Sequence, residues 1–198
     1  MKAIASAALL ALVTAMPATH AVAGPFGLSW GSAEQDITAI GVNLTKHTQV
    51  EGITSYATSR LPEGTSNARA YAMMFDEELG LQRATLVSDT ITNDLVGEEG
   101  KQRYELFKMS LAQQYGAPVG EFEYSGKAFP ILPSEFYPCL ALRDCGVWNS
   151  VFAGETPGER IVLSLHGIAP GDGYISIAYE GPHWASVSQR LMGKVPRY

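Results

Sequence analysis

Arg160-Ile161-Val162-Leu163-Ser164-Leu165-His166 and Tyr174-Ile175-Ser176-Ile177-Ala178-Tyr179-Glu180 decide the fold class. Ile161, Leu163 and Leu165 fall on one side of the first segment, and Ile175, Ile177 and Tyr179 on one side of the second. A period of two is the signature of a strand with one buried face. Gly167-Ile168-Ala169-Pro170-Gly171-Asp172-Gly173 between them is turn material, so the two strands form an antiparallel hairpin.

The same pattern recurs upstream. Ala70 to Phe75 leads through Asp76-Glu77-Glu78-Leu79-Gly80 into the alternating segment Leu81 to Val87, a second hairpin. Val42–Val50 and Ile53–Arg60 read as a third, turning at Glu51-Gly52. Glu121 to Tyr124 and Gly146 to Phe152 read as single strands. Between the hairpins the period changes. Tyr104, Phe107, Leu111 and Tyr115 recur at spacings of three and four, which predicts a helix over 97–115, closed by Gly116 and Pro118. Ser32 and Gln35 have the spacing of a capping box ahead of Ile37 and Ile40. Trp184, Val187 and Leu191 form the stripe of a last helix, started near Pro182 and stopped by Gly193. Pro130, Pro133 and Pro138 predict an irregular crossing from Phe129 to Pro138.

Consecutive hairpins favour an antiparallel sheet with helices packed on one face, an α+β fold. Strand, hairpin and amphipathic helix occur once up to Gly116 and again up to Gly193. A single domain over 24–198 is expected, with pseudo-repeated halves at about 24–118 and 119–198.

The first 23 residues stand apart. Met1-Lys2 is a positive start, Ala3–Met16 an apolar run, and Ala21-Val22-Ala23 a small-residue exit before Gly24. These are the parts of a secretory signal peptide cleaved near Ala23, and the run is too short to span a bilayer. A periplasmic or secreted location follows as an expectation, with no stable membrane insertion. The formal charge is −6, and loss of Lys2 makes it one unit more negative. Without a basic stripe, nucleic acid is a poor partner. In an oxidising compartment the two cysteines, Cys139 and Cys145, are expected to bridge. Two reduced buried thiols, or metal or redox chemistry, are the alternatives.

Chemistry-bearing patterns are sparse. Gly27-Leu28-Ser29-Trp30-Gly31 fits the G-x-S-x-G pattern of a serine hydrolase, with Asp172 and His183 in the right chain order. No core strand has room to precede it in a chain starting at Gly24. His47, His166 and His183 fall on separate segments without ligand spacing, so no metal or other cofactor is expected. Phe136 and Tyr137 sit beside the cysteine loop, where pinned aromatics suit a recognition surface. The alternative is that they pack inward and cap the end of the sheet.

Phe26-Gly27-Leu28-Ser29-Trp30-Gly31-Ser32, followed by a short helix through Ile37, resembles the opening of many small exported bacterial proteins. Tyr104, Leu111, Tyr115, Gly116 and Pro118 resemble a helix ending common in the same proteins, and Trp148, Ile161 and Ile177–Tyr179 agree with their layout. The order of elements is also similar to tandem helix–sheet modules of the β-lactamase-inhibitor-protein or outer-membrane-assembly-lipoprotein kind. That resemblance implies a concave antiparallel sheet presented to a protein partner. The chain departs from it in lacking a lipidation cysteine and one helix, and no functional residue carries over. The expectation is an exported, non-enzymatic protein that binds another protein or an envelope component, in one version as an inhibitor or immunity-type protein. A small hydrolase using Ser29 and a small-molecule or lipid carrier are the alternatives.

Overall fold

The computed structural model describes residues 23–126 and 131–192. The expected signal peptide apart from Ala23, the start of the proline-rich crossing, and the helix stop at Gly193 lie outside the described residues.

Eight strands form one antiparallel sheet: β1 (Thr45–Val50), β2 (Ile53–Thr58), β3 (Ala68–Asp76), β4 (Gly80–Ser88), β5 (Gly120–Tyr124), β6 (Val147–Ala153), β7 (Arg160–Ala169) and β8 (Asp172–Glu180). Their spatial order is β1-β2-β3-β4-β8-β7-β6-β5. Two four-stranded meanders therefore meet along β4 and β8, where Arg83 pairs with Glu180 and Val87 with Ser176. Glu51 and Gly52 both have positive φ, at 50° and 73°, which is what a tight turn between β1 and β2 requires.

The period-two pattern puts one face of this sheet in the core. Tyr56, Tyr71, Met73, Ala84, Leu86, Ile177, Ile161, Leu163 and Phe152 are buried on it, and neighbouring strands bring them side by side. Three helices cover this face: α1 (Glu34–Ala39), α2 (Glu98–Tyr115) and α3 (Phe136–Ala141). Tyr104 and Leu111 of α2 are buried in the same cluster, with Phe107 and Tyr115 packed at its margin.

Three details differ from the sequence reading. The cap of α1 is one residue later than Ser32: the Ala33 N–H donates to the Asp36 carboxylate at 2.9 Å. The described end of the proline-rich crossing is ordered, with a 3-10 turn at Pro133–Glu135 running into α3. Pro138 is tolerated because it lies in the first turn of α3, where an N–H has no acceptor within the helix.

The third difference concerns α4 (Trp184–Met192). Its Trp184, Val187 and Leu191 pack with Ile53, Met74 and Leu79, a second cluster apart from the main core. Met74 pairs with Arg83 in a register opposite to the core residues Met73 and Ala84, so α4 lies over the other face of the sheet. A β-bulge at Gln82 prepares this crossing. The buried Gln82 side chain donates to the Leu79 carbonyl at 2.8 Å and accepts from the His183 N–H at 3.3 Å, while the Gln82 backbone carbonyl accepts from the Gly181 N–H. The chain is thereby tied to β4 as it leaves β8.

Candidate functional site

Phe136 and Tyr137 are not a recognition surface. Their exposures are 2% and 0%, and the reading of them as surface anchors is corrected. The Tyr137 ring lies over Gly173, its hydroxyl over Gly100 and its backbone over Gly167, three places where no side chain would fit, and the hydroxyl donates to Asp94 at 2.8 Å. Phe136 meets the Trp148 ring edge-on, with centroids 5.4 Å apart, and Lys101 lies 4.2 Å over it. A sequence window cannot show glycines on α2, β7 and β8 converging to make room for one tyrosine, backbone and ring together. Cys139 and Cys145 are bridged across a Cα separation of 5.1 Å and both are buried, a staple at the end of α3.

Ser29 is half-buried, and Asp172 and His183 are not brought together to complete a triad with it. Asp172 opens β8 and His183 follows its far end, and a nine-residue strand holds its ends about 27 Å apart. Glu121 and Glu123 on β5 share one cationic partner: Lys108 donates to both, at 2.9 and 2.6 Å. Among the described residues no group of three His, Cys, Asp or Glu side chains is placed to hold a metal ion. Among them, too, no helix is long and apolar enough to cross a membrane.

What the fold does present is the second face of the sheet. Among the described residues only α4 covers it, over β2–β4. Ala57, Ala72, Thr85, Ala178, Val162, Val151 and Gly120 align from β2 to β5 in one register. The next register holds Ala70, Val87, Ser176, Ser164, Asn149 and Phe122. Neither row contains a charged residue. A solvated antiparallel face normally alternates apolar-in with polar-out, so small uncharged side chains at the outward positions are the unusual feature here. This signal was present in the sequence at alternate positions of each strand. It became readable only when the pairing aligned them.

Polar groups border the two rows. On one side, Arg160 donates to Glu180 from Nε at 3.1 Å and from Nη2 at 2.8 Å, while Arg83 approaches the other carboxylate oxygen at 4.0 Å. Arg83 also lies 5.1 Å over the Trp184 ring, an arrangement that joins the ion pairs to α4. Burial pulls the Arg83 guanidinium below its ordinary pKa, and Glu180 opposes that shift. On the other side, His166 stacks on Tyr174 with centroids 4.6 Å apart and shares a 2.8 Å hydrogen bond with Ser176. Burial, then the positive charge of Arg83, lowers the His166 pKa, so the neutral ring is favoured. Asn149 Oδ1 and Arg83 Nε are shielded from water and have no hydrogen-bond partner among the described residues.

Comparison of the chain with protein-family models, curated proteins and solved structures found no match.

Proposed function

We propose that this is an exported, non-enzymatic binding protein that grips a protein partner of the cell envelope with the open face of its sheet. One observation carries the reading: two registers of uncharged side chains, small apart from Asn149 and Phe122 at one end, cross the sheet, with α4 over one side and no other described element above them. Strands spaced about 4.8 Å apart make an eight-stranded sheet about 34 Å wide, and six consecutive residues along a strand, three of them outward-facing, add about 20 Å. The product, about 700 Å², is the whole face including the part under α4, against the about 800 Å² that one partner contributes to an ordinary protein–protein interface. Small side chains keep the surface flat, and little side-chain entropy is lost when it is covered. The ion pairs of the buried Glu180 and the His166–Tyr174 stack would border the contact with groups already held by one another. Export is supported by the leader pattern of residues 1–23 and by the Cys139–Cys145 bridge, which fits an oxidising compartment.

A photo-crosslinking residue at Ser164 or Thr85, on this face, is expected to trap a discrete protein adduct in intact cells. The same residue at the exposed Gln102 of α2, on the other side of the molecule, is expected to trap none. Val162→Arg should abolish the adduct from Ser164 while the circular dichroism spectrum is retained. Equal labelling from both sides, or an adduct that survives Val162→Arg, would remove the open face as the binding surface.

A further inference from the structure

A cavity of about 340 Å³ lies at the end of the core, where the start of the described chain meets the C-terminal end of α2 and the β6–β7 connection. That volume is within the range of small-molecule sites, about 300–1,000 Å³. Phe26, Trp30, Tyr115 and Tyr179 are among its walls. The rings form a connected cluster, with Phe26 5.1 Å from Tyr179 and Tyr179 6.5 Å from Tyr115. Phe26 is held at a φ of 62°, a conformation that a bulky residue rarely adopts and that persists only where the surroundings enforce it. Here it keeps the ring wedged between Tyr71 and Tyr179.

Charge on the same walls is one-sided. Glu63, Glu155, Glu159 and Glu180 line the cavity against a single cation, Arg160. Arg160 is already committed to Glu180, by two hydrogen bonds. Glu159 uses one oxygen to accept from the Thr156 N–H, and its other oxygen is shielded from water without a partner among the described residues. Glu155 and Glu159 both push the Tyr115 hydroxyl pKa further upward after burial has raised it, so their field reaches the aromatic wall. Ring faces and unneutralised carboxylates attract the same kind of guest, a cation with an apolar body.

We propose that this cavity binds the ammonium group of a small amine whose apolar part lies against Phe26, Tyr115 and Tyr179. The ammonium has two possible sources. One is a free amine. The other is the chain itself: Gly24 lines the cavity with its N–H donating to the Leu28 carbonyl at 2.9 Å, and cleavage after Ala23 would turn that nitrogen into an α-ammonium.

The test uses the exported protein with its N-terminus established by intact mass, titrated with phenethylammonium chloride and, as the uncharged control, 2-phenylethanol. Amide shifts at Tyr115 and Tyr179 should saturate with the amine and not with the alcohol. Glu63→Gln combined with Glu159→Gln, which keeps an acceptor for Thr156, should weaken binding about fivefold or more. If the chain's own ammonium fills the site, the amine will not bind until the N-terminus is acetylated. In that case the Gly24 amine should titrate above its ordinary range of about 7.7–8.0 and return to it in the double variant. The amine titration does not depend on where the leader is cut, so a cut elsewhere counts against Gly24 as the source and leaves the free-amine arm to decide. The proposal is overturned if amine and alcohol bind alike, or if neither the added amine nor the Gly24 amine responds to the carboxylates.

Discussion

Tyr104 and Ser150 show how much one buried contact can hold. Their hydroxyls meet at 2.7 Å between α2 and β6, both residues fully buried, and burial raises the tyrosine pKa out of reach of ordinary conditions. Tyr104→Phe would leave the Ser150 hydroxyl without a partner in the core. The expected loss is about 1–3 kcal/mol, read from urea unfolding. Replacing Ser150 with alanine as well should recover part of it, because no unpaired group remains. The Tyr104 position was legible in the stripe of α2, but nothing near it in the chain points to a serine in a strand of the second meander. His166 carries a pH dependence of definite sign. Its folded pKa is depressed below the unfolded value, so the unfolded chain binds a proton more readily as the pH falls through about 6.5. Stability should therefore drop between pH 7 and 5, and His166→Gln should flatten that part of the profile in thermal melts at fixed ionic strength.

Among the elements, α3 was the one that local pattern missed. Three prolines argue against regular structure, yet the helix needs only one turn free of hydrogen-bond demand at its start, and Pro138 falls there. Tyr137 then docks it on β7 and β8, and the Cys139–Cys145 bridge closes the loop behind it. Replacing both cysteines with serine removes a short closed loop from the unfolded state, a change worth about 2 kcal/mol on chain-entropy grounds. Guanidinium unfolding should show that loss. The native spectrum should be kept, since Tyr137 still anchors the element. α1 is held differently: Tyr56 of β2 donates to Glu34, which pushes the tyrosine pKa up to about 12. β1, the outer strand on that side, is exposed along its whole length and interrupted by an irregularity between Lys46 and Thr48. A charged, bulged outer strand resists pairing with other chains.

At the scale of the whole molecule, the two meanders share one core. The main cluster contains Tyr71, Met73 and Leu86 from the first and Phe152, Leu163 and Ile177 from the second. Separating them would uncover β4 and β8 along their pairing edges and open the apolar layer beneath. Unfolding should accordingly be a single transition, with tryptophan fluorescence and far-ultraviolet circular dichroism coinciding. Fragments 24–118 and 119–198 should each lack a cooperative transition. A fragment that folds alone would show that the halves are independent units joined edge to edge.

The alternation of apolar residues by itself determined the strands, the hairpins and the α+β class, because each depends on neighbours within a few positions. The spacing of Tyr104, Phe107, Leu111 and Tyr115 did the same for α2. Only the tertiary structure decided that β4 pairs with β8, that α4 crosses to the second face, and that Phe136 and Tyr137 turn inward. It alone brought the small residues of seven strands into register as one surface. Those outcomes depend on which of several apolar surfaces finds a complementary shape far along the chain, and no local window carries that information.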